Sequence, residues 1–259
     1  LVRATLHRSG WPAGGIDKDA RAIVMYMDGD GGHEALDHMD ELSALMAGGT
    51  GLTAIHFATH LPEDIGQKYF LDWLGCYYNS NTSTTPHWRG DLRLLESHPV
   101  SRGVAPFSAL DEFYFNIRFN PGPGLSRVLR GTPPDAAREH IPHPRRRLFL
   151  FGGSVPEEVK NNRGREETIG WAFEREDGGR SFGFTGGHFH WNWGHADYRK
   201  LVLNAIAWTA GVEVPPQGLP AQALSLEQLN KGLDEDIPLR FSAQEIARRF
   251  GLDHDAPPD

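Results

Sequence analysis

The chain has 259 residues and a formal net charge of −8, with 39% hydrophobic, 10% aromatic and 23% charged residues. That balance describes a globular chain, and its acidity argues against a nucleic-acid partner, which calls for a basic face. No apolar run approaches the roughly 20 residues of a membrane span, and the single cysteine, Cys76, excludes an intrachain disulfide and a thiolate metal cluster. The compartment (periplasmic, secreted or cytoplasmic) and homo-oligomerisation stay open. Thirty glycines and 18 prolines imply many tight turns, and 13 histidines make the placement of imidazoles worth following.

Leu1 to His7 alternates weakly, as a strand would. Ala22 to Met27 is a continuous apolar run between polar turns, the pattern of a buried parallel strand. It ends in Asp28-Gly-Asp-Gly-Gly-His33. Glu34 to Gly48 reads as a helix, with Leu36, Met39, Leu42, Leu45 and Met46 on one face. Leu52 to Ala58 is a second buried strand with His56 near its end, and Asp64 to Gly75 a second helix. Strand, helix, strand, helix is the order of an α/β fold with a mostly parallel sheet flanked by helices.

Tyr77 to Asp91 reads as a long loop holding His87 and Trp88. Leu110 to Phe119 alternates, with Phe113, Phe115, Ile117 and Phe119 on one face and Glu112, Tyr114, Asn116 and Arg118 on the other. Ser126 to Arg130 is a short strand, Pro133 to Arg146 a surface excursion and Arg147 to Gly152 apolar. Thr168 to Glu174 and Arg180 to Thr185 form a hairpin around Asp177-Gly178-Gly179. Ala196 to Gly211 is a helix. Residues 1–214 form one α/β domain, and 215–259 a tail with short helices, capped by Ser225 with Gln228 and by Ser242 with Glu245.

Ligands of open α/β sheets gather at the carboxyl ends of strands, which is where His33, His56 and His188 fall. Gly186-Gly187 lets the chain turn closely, and His188-Phe189-His190-Trp191-Asn192-Trp193 follows. On an extended backbone His188 and His190 point the same way. Neutral imidazoles suit a metal, a sugar hydroxyl or a proton transfer. His60, His98, His140, His143, His195 and His254 read as surface or turn residues.

Gly51 to Ala58, Phe70 to Gly75, His98 to Phe107, Asp111 to Tyr114, Gly183 to His188 and Tyr198 to Gly211 together resemble the ThuA-like (trehalose-utilisation) family over most of residues 22 to 214. The resemblance implies a flavodoxin-like fold related to class I glutamine amidotransferases. His56 then stands where an amidotransferase keeps its cysteine, Asp28 to His33 where its oxyanion loop lies, and His188-Phe189-His190 where its His-x-Glu lies. Thioester chemistry on glutamine is therefore not expected. The family's first βα unit has no counterpart here. The resemblance implies that its loss opens a gap at the centre of a 2-1-3-4-5 sheet, unless the chain is truncated or fills the slot differently.

What the resemblance implies is chemistry on a small carbohydrate, a 3-keto or related oxidised sugar or glycoside. Histidine acid/base steps, with or without a metal, would serve an isomerase or a lyase/hydrolase. The expected catalytic residues are His56, His188 and His33. Asp111, Glu112, His190, Trp191, Asn192, Trp193 and His87 are the expected sugar contacts, the tryptophans by stacking. Zinc or manganese is the candidate cofactor, with His33, His56, His188 and His190 as candidate ligands. The alternative is a non-catalytic carbohydrate-binding or assembly module on the same scaffold.

Overall fold

The structure is a computed structural model, and it describes residues 3–139, 155–222, 224–231 and 242–252. The segment Arg147 to Gly152, much of the Pro133–Arg146 excursion, and His140, His143 and His254 lie outside the described residues.

Among the described residues the main sheet has seven strands: β1 (Ala22–Met25), β2 (Gly51–Ile55), β4 (Trp88–Leu94), β5 (Phe107–Asp111), β7 (Leu125–Gly131), β8 (Glu167–Glu174) and β9 (Arg180–Phe184). Their order is β1-β2-β9-β8-β7-β4-β5. β3 (Cys76–Tyr77) and β6 (Arg118–Phe119) make a separate two-stranded piece. β1, β2 and β9 are parallel. From β9 outward each pairing is antiparallel; for β8 and β9 the short turn after Glu174 can only reverse the chain. The result is a mixed α/β fold whose parallel part carries the site.

Helix α1 (Met39–Ala47) covers one face of that part. Leu42 and Met46 pack there with Met25, Leu52, Ala54, Phe70 and Trp171. The long C-terminal helix of the domain, Ala196–Thr209, covers the other. It sends Leu201, Val202, Ala205 and Trp208 against Ile55, Phe182 and Phe184. Each such fully buried side chain contributes about 1.5–3 kcal/mol. β2 and β9 between them are therefore buried on both faces, β2 at all five positions.

The first predicted helix begins with a 3-10 turn, Glu34–His38, before α1 proper. The second is built from α2 (Glu63–Ile65), a π-helical turn at Gly66–Phe70, and α3 (Leu71–Trp73). The hairpin and both C-terminal capping boxes form as expected.

Four expectations need correction. The loop expected from Tyr77 to Asp91 stops at His87, because β4 begins at Trp88 and pairs with β5. Arg3 to His7 forms no strand; it lacks a pairing partner and Leu6 is 77% exposed. Leu110 to Phe119 is not one alternating strand. β5 stops at Asp111, Asn116 adopts a left-handed φ of 57°, and Phe113, Tyr114, Phe115 and Asn116 are all buried. The gap expected at the sheet centre is not found there, because β1 pairs directly with β2. Among the described residues β1 has no partner strand on its other side, where Val24 and Tyr26 are exposed.

Candidate metal centre

Three chain segments converge at the carboxyl ends of β2 and β9. His56 follows β2 directly and has a positive φ of 55°, a strained conformation for a side chain with a Cβ. A 3-10 turn, His56–Thr59, leads away. This sharp strand-to-turn elbow lifts the imidazole to the sheet edge. Its Nδ1 lies 3.0 Å from the Thr185 carbonyl, to which it donates as N–H. A neutral ring that donates through Nδ1 keeps a lone pair on Nε2. Burial pushes the His56 pKa down, opposed by the Thr185 carbonyl and the charges of Glu112 and Asp111.

Around that lone pair stand the other two groups. His188 Nδ1 is 3.2 Å from His56 Nε2. Glu112 Oε2 is 3.0 Å from His188 Nδ1 and 3.6 Å from His56 Nε2. Metal bonds of about 2.0–2.2 Å place neighbouring donor atoms roughly 3.0–3.5 Å apart. The three separations suit one divalent ion held by two imidazoles and one carboxylate, a set that leaves coordination positions open. Among the described residues this is the one His/Cys/Asp/Glu group so arranged.

Asp111 builds the loop that delivers His188. Its carboxylate accepts the backbone N–H of Gly187 at 2.8 Å, of His188 at 3.1 Å and of Phe189 at 3.2 Å. It also accepts the Asn192 amide at 2.8 Å and the Tyr198 hydroxyl at 2.6 Å. A fully buried carboxylate is tolerable only with such saturation. The glycines are needed too. A Cβ on Gly186 would sit 2.5 Å from the Tyr198 hydroxyl, and Gly187 has φ 114°.

A family model, ThuA, described as trehalose utilisation, matches residues 18–209. The chain belongs to the ThuA family. No curated protein matches it. Among solved structures it is similar to a putative ThuA-like protein from Bacteroides uniformis, with 17% identity and a TM-score of 0.50, covering 74% of this chain and 70% of that one. It is also similar to one from Parabacteroides merdae, with 15% identity and a TM-score of 0.48, covering 75% and 72%. At that identity the likeness is one of fold.

In this ThuA-family chain the expected site residues divide in two. His56, Glu112 and His188 meet, and His87 joins them, with its Nε2 3.8 Å from Glu112 Oε1 and its ring 5.0 Å from His188. Asp111 and Asn192 stand behind the loop, fully buried and bonded to each other. Trp193 packs edge-on against Tyr198 and Tyr26, and Trp191 lies against His190.

His33 and His190 fall outside the metal-like group. His33 is buried; its Nδ1 accepts the Ala35 N–H at 3.2 Å, so Nε2 carries the proton and donates to the Ala58 carbonyl at 3.2 Å. His190 Nε2 is 2.8 Å from the Leu229 carbonyl. Backbone groups hold both ring nitrogens of His33 and the Nε2 of His190. His60, expected at the surface, is buried with its ring 4.1 Å from Tyr78.

Sequence reasoning placed Glu112 among sugar contacts and set Tyr114 on the same face without giving it a role; its hydroxyl is 3.3 Å from His56 Nε2. The signal available was Glu112-Phe113-Tyr114 directly after an apolar strand. Cys76 is buried in β3 and burial raises its thiol pKa well above the usual range, so it offers no thiolate nucleophile. Among the described residues, no helix is long and apolar enough to cross a membrane.

Proposed function

We propose that the protein is a metal-dependent enzyme acting on an oxidised sugar, a 3-keto or related sugar or glycoside, as an isomerase or a lyase/hydrolase. The observation behind this reading is the mutual approach of His56 Nε2, Glu112 Oε2 and His188 Nδ1. Zinc or manganese bound there supplies Lewis-acid polarisation of a carbonyl oxygen.

The chain's own residues do the rest. His56 and His188 hold the site open on one side, and Thr185 fixes the His56 ring through Nδ1. Glu112 places one oxygen with them and turns the other toward His87. His87 is the base assigned to the hydrogen beside the sugar carbonyl. It takes that proton, and the C–H electron pair forms a C=C bond while the carbonyl pair moves onto oxygen. For isomerisation the proton returns to the former carbonyl carbon, while the neighbouring hydroxyl passes its own proton to the former carbonyl oxygen and becomes the new carbonyl. Departure of a glycosidic oxygen, which takes up the proton, gives elimination. Trp191 and Trp193 offer faces and edges for the sugar ring.

The test is proton exchange. Zinc- or manganese-loaded protein in D2O, given a 3-keto glycoside, should incorporate deuterium beside the carbonyl by NMR. His87→Ala and Glu112→Gln should abolish the uptake. Sugar binding with no uptake in the loaded wild-type protein would assign the chain instead to non-catalytic carbohydrate binding.

A further inference from the structure

We infer that the Tyr114 hydroxyl donates a hydrogen bond to the substrate oxygen that sits beside His56, Glu112 and His188. This role rests on the metal-centre reading above. Tyr114 is two residues beyond Glu112 and is 3% exposed. Its ring lies 5.0 Å from the His56 ring, and the Tyr78 ring packs edge-on behind it at 5.9 Å. Tyr78 in turn rests on His60. A phenol wedged this way has little rotational freedom, so its oxygen has a defined address.

That address is 3.3 Å from His56 Nε2. The Nε2 lone pair is also the one a metal takes, because Nδ1 is committed to the Thr185 carbonyl. A metal-bound Nε2 no longer accepts the phenol proton. Donor atoms around one ion lie roughly 3.0–3.5 Å apart, so an oxygen 3.3 Å from Nε2 lies close to where an incoming ligand atom would be. A substrate oxygen bound beside the three groups would then stand within reach of the O–H. Negative charge developing on that oxygen strengthens the bond. A phenylalanine would fill the same volume, so packing alone does not call for the hydroxyl.

The test compares wild-type protein with Tyr114→Phe, which keeps the ring, by three measurements. These are zinc affinity by calorimetry, affinity of the zinc-loaded protein for acetohydroxamate, and the visible spectrum of iron(III)-loaded protein. Zinc affinity should stay within about twofold. Acetohydroxamate, whose anionic oxygens would occupy the open positions, should bind about tenfold or more weakly to the variant, as expected for loss of a hydrogen bond to a charged group. The iron(III) wild-type protein should lack a tyrosinate charge-transfer band.

Such a band, with zinc affinity lowered tenfold or more in the variant, would make Tyr114 a metal ligand and overturn the proposal. Unchanged acetohydroxamate affinity would reduce the hydroxyl to a packing role and overturn it equally. Failure of wild-type protein to bind zinc removes the metal centre itself. That result appears before any Tyr114 substitution, so the two failures are distinguishable.

Discussion

Asp111 accepts the backbone N–H of Gly187 at 2.8 Å across 76 residues of sequence, tying the end of β5 to the loop that presents His188. The bond is one of several on the same carboxylate, and its partners include Asn192 and Tyr198. The loop's conformation is thus set by a buried charge.

Asp111→Asn should therefore loosen the site as well as the fold. It replaces an acceptor by an amide donor facing N–H groups, leaving buried donors unsatisfied at a cost of about 2–3 kcal/mol. Urea denaturation should show that loss. Metal affinity of the folded variant should fall about 10–100-fold, the usual effect of a supporting residue.

Loss of a metal donor should separate the converging groups from the other histidines. His188→Ala and Glu112→Ala should each weaken zinc binding by on the order of 100-fold. His33→Ala and His190→Ala should leave it within about twofold, since both rings are bonded to backbone carbonyls elsewhere. Calorimetric titration of the four variants decides this. Equal losses in all four would dissolve the proposed centre.

Acid should destabilise the fold through His60. Burial lowers its pKa from 6.5 to about 4. The unfolded chain binds the proton first, so stability present above pH 6.5 is lost as pH falls toward about 4. At about 1.4 kcal/mol per pH unit, the loss from this residue approaches roughly 3 kcal/mol. Denaturation midpoints measured from pH 7 to pH 4 should fall, and His60→Phe, which keeps the stack on Tyr78, should flatten the slope. A slope unchanged in that variant would remove His60 as the cause.

The C-terminal helix Ala243–Phe250 should brace the same loop. Phe250 is buried with its ring 5.4 Å from Phe189, next to His188. Phe250→Ala should cost about 3 kcal/mol if the helix stays docked. Early proteolysis near residue 242, with weaker zinc binding, is the expected sign that the brace has been lost. Unaltered cleavage and zinc affinity would show that the loop stands without it.

The parts legible in the sequence were those decided locally. The helix Ala196–Thr209 follows from apolar spacing, and the β8–β9 hairpin from alternating runs around Asp177-Gly178-Gly179. The capping boxes follow from side chains three residues apart. Of the histidines read at strand ends, His56 and His188 come together there, 3.2 Å apart. Alternation misled at Leu110–Phe119, because both faces there are buried and a left-handed Asn116 breaks the strand.

The sequence by itself determined the α/β class, the family and the sheet end where imidazoles gather. Only the tertiary structure decided which of them share a site. His33 and His190 look no different in sequence from His56 and His188. A backbone carbonyl holds one ring nitrogen of His33, of His190 and of His56 alike, but only the His56 ring has its other nitrogen beside His188 and Glu112. Glu112 enters because β5 ends beside β9's loop, where buried Asp111 draws Gly187, His188 and Phe189 onto its carboxylate. Such long-range hydrogen bonds leave no periodic trace in a chain, since a buried charge can be satisfied by donors at any sequence distance.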